Sequence, residues 1–579
     1  MDDELRKRGT SPAMLAQAVE EAAGLYRQGR LAEAEKICSR VLRAQPNWFD
    51  ALHLLGVLKL QGGKAGAACT HLEQALKLNP TSAQVMSNLG MALAALNRDQ
   101  DALAILDKAI AIMPASVESI TNRGNVLMKL GRPTDALAAF DAALILAPGF
   151  PGALANRGNA LAALGRCEEA LAQYDAVLAV VPAHAETHLN RGSALTALSR
   201  AAEAVAAFDR ALALRPDYVK AHIGRGAARQ ALNQQREALA DFERAIALDK
   251  SNADAQHNAA LAHLTLGDYR RGFEQYEWRW QRSGMPARRR SFGKPLWLGE
   301  YPLARKRILI AAEQGLGDCI QFARYVPPLA RAGATVVLEA PPPLCSLFAR
   351  LAGVTTVVAR GDALPDFDVY CPAGSLPRAL RTEVSSIPAD VPYLRASEAH
   401  VAKWRERIES LPQPRIAVAW AGSADHVNDR NRSLQLRQMA PLFALNAGFV
   451  SIQRDLRAAD VEELRRQPAL THVGDAVADF DDTAAVVMLA DLVITVDTSV
   501  AHLAGALGRP IWVLVPFWPD WRWMLDRADT PWYPTMRLYR QPRAGDWEGV
   551  IAQVADMVQT GARAAGLSTS LPSPQGPRL

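Results

Sequence analysis

Cysteine is scarce in this chain, and what there is carries no pattern. The six thiols, Cys38, Cys69, Cys167, Cys319, Cys345 and Cys371, are scattered over 579 residues with no Cys-x-x-Cys pair. Neither a disulfide framework nor a zinc site is indicated. No stretch offers about 20 uninterrupted apolar residues, so no membrane span is expected. The opening residues, MDDELRKRGTSP, are charged and lack the apolar core of a signal peptide. A net charge of +5 is small for this length and gives no reason to expect nucleic-acid binding. The basic runs Arg288-Arg289-Arg290 and Arg305-Lys306-Arg307 read as solvated segments. A reducing, cytoplasmic setting is the expectation. What remains is ordinary for a globular chain, 49% hydrophobic and 22% charged, and long enough for several domains at roughly 100–200 residues each.

The abundant feature is repetition. Pro46, Pro80, Pro114, Pro148, Pro182 and Pro216 stand 34 residues apart, as do Gly56, Gly90, Gly124, Gly158, Gly192 and Gly226. Ala34 to Ala238 form a third column at the same spacing, and Phe140, Tyr174, Phe208, Phe242 and Tyr276 an aromatic one. Small residues let two helices approach, a large side chain fills the next gap, and proline stops each second helix by removing a donor. A unit of this size cannot bury its own apolar face, so neighbours must stack into an α superhelix with a groove. The pattern resembles the tetratricopeptide repeat family and implies seven full repeats plus a degenerate eighth. The array is placed at 12–282, with its pattern decaying after Pro216.

Asn88, Asn122, Asn156, Asn190 and Asn258 share one repeat position. In the family the first helix of each pair lines the groove, so these amides either form a ladder that contacts a peptide backbone or bond to neighbouring helices; an amide can do both. Arg123, Arg157, Arg191 and Arg225 follow in register. They suit an acidic partner or packing over the helices.

From Arg307 short apolar runs alternate with helical patterns: RILIAAE, ATVVLEA, TTVVAR, FDVYCP, RIAVAWAG, FVSIQ, THVG, LVITVD and IWVLV. Such alternation predicts parallel sheets covered on both faces. The proline-bearing IPADVPYLRAS divides the runs into two Rossmann-like domains, 306–397 and 398–561, after a linker at 283–305 and before a disordered tail at 562–579. The helical stretch Asp546 to Thr560 reads as a brace between the two.

The strand ends carry the chemistry. EQGLGDCIQ follows the first run, with Asp318 at a helix start as either cap or general base. VDTSVAHLAGALGRP follows another, and free amides from Ser499 onward, with about +0.5 of helix-dipole charge, suit a diphosphate. Asp497 reads as an acceptor of loop amides that fixes the turn, and His502 as a ligand contact or a packing residue. These two segments resemble the paired signatures of heptosyltransferase-type glycosyltransferases of the GT-B fold. By that resemblance Gly317-Asp318 matches the family's Gly-Asp dipeptide, with Asp318 as base. Thr498, Ser499 and Val500 match the amides that hold the donor diphosphate, Ser499 standing where the family has glycine. WAGSADHVNDRNRSL resembles the loop that brings a cation to the donor, with Arg430 and Arg432 as candidates. In PFWPDWRWMLDR, Trp518, Trp521 or Trp523 either packs in the core or stacks on a sugar or base.

The resemblance implies a glycosyltransferase that moves a sugar from a nucleotide-sugar donor to an acceptor hydroxyl, the acceptor being a protein if the repeats recruit it. The layout is similar to that of repeat-bearing protein O-GlcNAc transferases. No Asp-x-Asp pair stands in the motif loops, so neither metal nor other cofactor is expected. The rival reading is a tetratricopeptide scaffold for protein–protein interaction whose transferase-like half is inactive.

Overall fold

The computed structural model describes residues 11–282, 289–426 and 428–565. The chain divides into two compact units, Met1–Gly224 and Arg225–Leu579. Among the described residues sixteen helices, α1 (Pro12–Arg27) to α16 (Tyr269–Tyr276), form eight successive pairs.

The first unit holds six pairs and the start of the seventh. Its glycine column marks where the helices of a pair touch. A Cβ on Gly56, Gly90, Gly124, Gly158 or Gly192 would lie only 2.4–2.7 Å from Leu72, Leu106, Phe140, Tyr174 or Phe208, respectively. Carbon atoms pack at about 3.5–4 Å, so each large side chain needs the bare backbone opposite it. The alanines at 34, 68, 102, 136, 170 and 204 are fully buried. Each second helix stops two residues ahead of its proline, as Leu78 does before Pro80, because the residue preceding proline is pushed out of the helical region.

A further column appears only in the backbone. Gly29, Gly63, Asn97, Gly131, Gly165 and Ser199 all adopt left-handed φ of 60–77° at the turn between the helices of a pair. Such a residue closes the first helix and redirects the chain. Asn233 and Gly267 do the same in the second unit.

The second unit contains α14 (Gln235–Leu248), α15 (Ala253–Thr265), α16 and two all-parallel sheets. The first sheet has the order β3-β2-β1-β4, from β1 (Arg307–Ala311), β2 (Thr335–Ala340), β3 (Val354–Ala359) and β4 (Val369–Pro372). The second has the order β10-β9-β8-β5-β6-β7, from β5 (Arg415–Ala419), β6 (Gly448–Ser451), β7 (Leu470–His472), β8 (Leu492–Val496), β9 (Ile511–Val515) and β10 (Met536–Arg540). The nine expected runs are the first nine strands; β10 was not among them. The second order is that of the doubly wound dinucleotide-binding sheet, with strands buried on both faces by helices. Helices that matter below are α17 (Leu316–Phe322), α18 (Glu398–Glu409), α19 (Phe480–Leu489), α20 (Ser499–Ala506) and α21 (Trp547–Ala565).

One core joins the last repeat pair to both sheets: Leu264, Tyr269 and Phe273 belong to the same buried cluster as Ile308, Val493, Trp521 and Trp532. Among the described residues the expected brace, α21, instead packs on the second sheet, burying Val550, Ile551, Val554 and Val558 with Phe449, Ile494 and Leu514. Residues 289–305 are more than a linker. The Trp297 amide donates to the Tyr370 carbonyl at 2.8 Å and the Tyr370 amide to the Pro295 carbonyl at 3.0 Å, adding an edge to β4; residues 283–288 lie outside the described residues. The tail expected from 562 is helical through Ala565, and 566–579 lie outside the described residues. Among the described residues no helix is long and apolar enough to cross a membrane.

Candidate functional site

Strand order in the second sheet reverses between β8 and β5. Ligands of open parallel sheets settle at the carboxyl ends of the strands at such a reversal. The two segments leaving that point are the loop after β5, which carries Arg430 and Arg432, and the turn Asp497–Ser499. Thr498 is extended, with φ −140° and ψ 177°, and its side chain does not cap α20; its hydroxyl lies 3.3 Å from that of Thr495. Among the described residues the amides of Ser499 and Val500 have no protein acceptor. Their donors are left for something else.

Of the two candidate cations, Arg430 is exposed and Arg432 turns inward. The Arg432 Nη1 donates to the Asp497 carbonyl at 3.0 Å, and its Nε is shielded from solvent without a partner. A Cβ on Gly422 would meet the guanidinium at 2.4 Å, so glycine makes the room. Among the described residues the Asp497 carboxyl takes no loop amide, contrary to its expected role. Burial, with the Asp520 carboxylate beside it, lifts it to about 6, and Arg522 and Arg432 only partly offset this.

The opposite wall comes from the first sheet. Gln314 follows β1 with φ 61°, a conformation rare for residues other than glycine and common at functional turns. The Gly315 amide donates to Asp318 Oδ2 at 2.9 Å, so Asp318 does cap its helix. Its other oxygen is ion-paired with Arg522. That buried guanidinium also donates to Gln321 and, at 3.0 Å, to Asp520. Burial opposes its charge, but Asp520 and Asp318 prevail and hold it above its ordinary value.

The two motif segments meet face to face. A Cβ on Gly317 would lie 2.8 Å from His502 Cδ2 and 3.5 Å from Ser499 Cα. His502 is fixed there: its Nδ1 sits 3.0 Å from the Tyr533 hydroxyl, and its ring stacks on Trp523 at 5.6 Å. Burial, with Arg522, Arg324 and Arg432 nearby, keeps it well below the usual histidine range, hence neutral. It packs under α20.

The tryptophans divide. Trp521 is buried, edge-on to Phe273 at 5.6 Å and to Trp532 at 5.7 Å, so it is a core residue and not a stacking platform. Trp518 is half-buried, its carbonyl accepting from Asn431 at 3.0 Å.

In the first unit the asparagine column bonds between repeats. Asn88 Nδ2 lies 2.8 Å from His53 Nε2, Asn122 donates to Ser87 at 3.0 Å and Asn190 to Asn159 at 2.9 Å; Asn156 is half-buried. Each of the three spends a donor on a residue about one repeat earlier, which is the neighbouring-helix alternative. Arg123, Arg157 and Arg191 likewise pair with Asp107, Asp141 and Asp175 at 2.6–2.7 Å.

The sequence reading missed Glu313, Arg279 and Arg522. Arg279 is buried between Glu313 and Glu277, both at 2.9 Å. Burial pushes the Glu313 carboxyl up against the opposing pull of Arg279. A charged residue inside an otherwise aromatic run, as in DWRW, was the available signal for Arg522. Among the described residues His400, Asp479 and Asp482 have ligand atoms within 4.8 Å of one another. However, Asp479 caps α19, and Asp482 accepts from Lys403 at 2.8 Å and Trp404 at 2.7 Å.

Residues 53–117, 121–170 and 155–219 match the family model of the tetratricopeptide repeat. The helical half is a tetratricopeptide array. The chain is 28% identical over 316 residues to Protein FlbA of Caulobacter vibrioides, across 50% of this chain and 52% of that protein; it thus spans about half the length of the curated relative it matches. Among solved structures, a tetratricopeptide repeat protein from Parabacteroides merdae is 18% identical with a TM-score of 0.36, covering 43% of this chain and 98% of its own. A thermophilic tetratricopeptide repeat protein of Thermus thermophilus is 25% identical with a TM-score of 0.30, covering 31% and 99%.

Proposed function

We propose that the α/β half is a metal-independent glycosyltransferase of the GT-B, heptosyltransferase-like type, served by the tetratricopeptide array as a recruiter of a protein acceptor. The observation that carries the reading is the contact between Gly317 and the Ser499–His502 turn: two segments about 180 residues apart, singled out as a pair by their sequence, abut at the carboxyl ends of two parallel sheets. In this reading the donor diphosphate lies on the amides of Thr498, Ser499 and Val500, with Arg432 neutralising the charge that develops on the leaving group. Asp318 takes the proton of the acceptor hydroxyl.

Arg522 adds a condition. While it pairs with Asp318 it occupies the carboxylate oxygen that an acceptor hydroxyl would need. Arg522 also acts on Asp497 and His502, which flank the amides assigned to the diphosphate in this reading. An incoming diphosphate competes for the guanidinium and releases Asp318 once the donor is seated.

The test is binding of UDP, GDP, ADP and CMP to the full chain in EDTA, read by melting temperature and calorimetry. A ligand at 100 times its Kd stabilises by about 2.7 kcal/mol. If none of them binds at millimolar concentration, the transferase reading fails and the inactive-scaffold reading stands.

A further inference from the structure

The first sheet has its own reversal of strand order, between β1 and β4, and a cavity of 190 Å³ opens there. Its wall includes Ala311, Ala312, Glu313 and Gln314 from the end of β1 and Pro372 from the end of β4. Trp280, Phe292 and Tyr370 supply aromatic faces, and Arg289, Arg290 and Arg360 supply charge. The cavity adjoins the cleft at Asp318, with Gln314 common to both. Part of the basic run that reads as solvated in the sequence is therefore at a strand-end pocket.

The charges around it are unequally matched. Arg290 is paired with Glu339, which also accepts the Ala312 amide at 3.1 Å and so ties the end of β1 to the pocket. Glu313 is taken by Arg279 at 2.9 Å and by the Gly374 amide at 2.5 Å. Arg289 and Arg360 are exposed and have no ion-pair partner among the described residues. Two uncommitted guanidinium groups beside two already neutralised carboxylates suit a single negative charge. A dianion would feel Glu313 and Glu339 more strongly. Guanidinium forks bind a carboxylate through paired N–H donors.

We propose that this cavity binds a carboxylate side chain of an acidic peptide, gripped by Arg289 and Arg360 against the aromatic walls, and so selects an acceptor whose hydroxyl has Asp or Glu as a neighbour. The word acceptor rests on the transferase reading; the binding does not. A peptide is the better match than a saccharide because Trp280 stands in the turn Glu277–Gln281, which continues directly from the last helix of the tetratricopeptide array, and such arrays bind peptide partners. The cavity admits one side chain and leaves the main chain outside.

The experiment uses the full chain and two short fluorescent serine peptides, one bearing Asp and Glu and the other Asn and Gln at the same positions. Anisotropy is measured at low salt and at ~0.15 M, where charge pairing is screened beyond about 8 Å. The acidic peptide binds at least about tenfold tighter than its neutral twin, as expected for charge-assisted hydrogen bonds. Arg289→Gln combined with Arg360→Gln erases the difference without moving the melting temperature, since neither side chain has an ion-pair partner among the described residues. Equal binding of the two peptides overturns the proposal, as does an acidic preference that survives in the double variant. So does a glucuronate saccharide that binds through Arg360 when the peptide does not. Failure of every nucleotide to bind would remove the transferase reading and leave this pocket standing.

Discussion

Replacing Asp318 by Asn separates its two jobs. The side chain caps α17 through the Gly315 amide at 2.9 Å and is ion-paired with Arg522 across the cleft. Asn keeps an acceptor for the amide, so the capping term, typically ~1 kcal/mol, survives largely intact. The lost contact is the charged one. Hydrogen bonds to charged groups contribute about 1.5–3 kcal/mol, and two facts place this one at or below the bottom of that range. Asp318 is 23% exposed, so solvent screens it, and Arg522 retains Asp520 at 3.0 Å, so its charge is not orphaned. A loss of about 1–1.5 kcal/mol follows, a few degrees of melting temperature at most for a unit of this size. If Asp318 is the base, turnover falls by about 10²- to 10⁴-fold while nucleotide affinity is unchanged or improves, because Arg522 is freed for phosphate. Scanning calorimetry and release of nucleoside diphosphate from the nucleotide-sugar that binds measure both quantities on one variant. A protein that melts lower yet keeps most of its turnover refutes the base assignment and leaves Asp318 as a structural residue.

Arg432→Gln weakens nucleoside-diphosphate affinity by about tenfold or more whereas Arg430→Gln leaves it unchanged; titration calorimetry distinguishes them. The Asp497 carboxyl titrates near 6, above its unfolded value of about 3.9, so the folded chain holds that proton more tightly. This group's contribution to stability is therefore complete below about pH 4 and lost as the pH rises through about 6. Asp497→Asn gains on the parent across that window, by about 3 kcal/mol at most, in denaturant titrations at a series of pH values. Ser199 occupies a left-handed turn at φ 60°, where five other repeats have glycine and two have asparagine, so Ser199→Gly raises stability by about 0.5–1 kcal/mol; an unchanged or lower denaturation midpoint would count against the turn argument.

The sequence carried the repeat half almost whole, because packing of identical units forces identical residues at a fixed interval. Gly124 facing Phe140 and Gly158 facing Tyr174 are such contacts. The left-handed column escaped notice because Asn97 and Ser199 interrupt its glycines. The strands were visible as apolar runs, except β10, whose MRLYR alternates with arginine. In the site, the segments around Asp318 and Ser499 were legible because strand-to-helix turns leave local signatures. Arg522 was not, since its partners Asp318 and Gln321 lie about 200 residues away and no local period encodes that meeting. The same reason hid Trp521, which has the composition of a ligand platform and the surroundings of a core.

The aromatic core shared by α16 and the α/β half determines where this protein can be cut. Tyr269 stacks on Trp532 at 5.8 Å and accepts its indole N–H at 3.0 Å, while Phe273 meets Trp521 at 5.6 Å. A fragment that begins at residue 283, where the repeats end by sequence, uncovers those two indoles and leaves a sticky scar; it will precipitate or recruit chaperones. One that begins at Arg225 keeps its own lid. The last helices of the array are thus a fixture of the α/β half, and a peptide that strains them pulls on the same loop that carries Arg522.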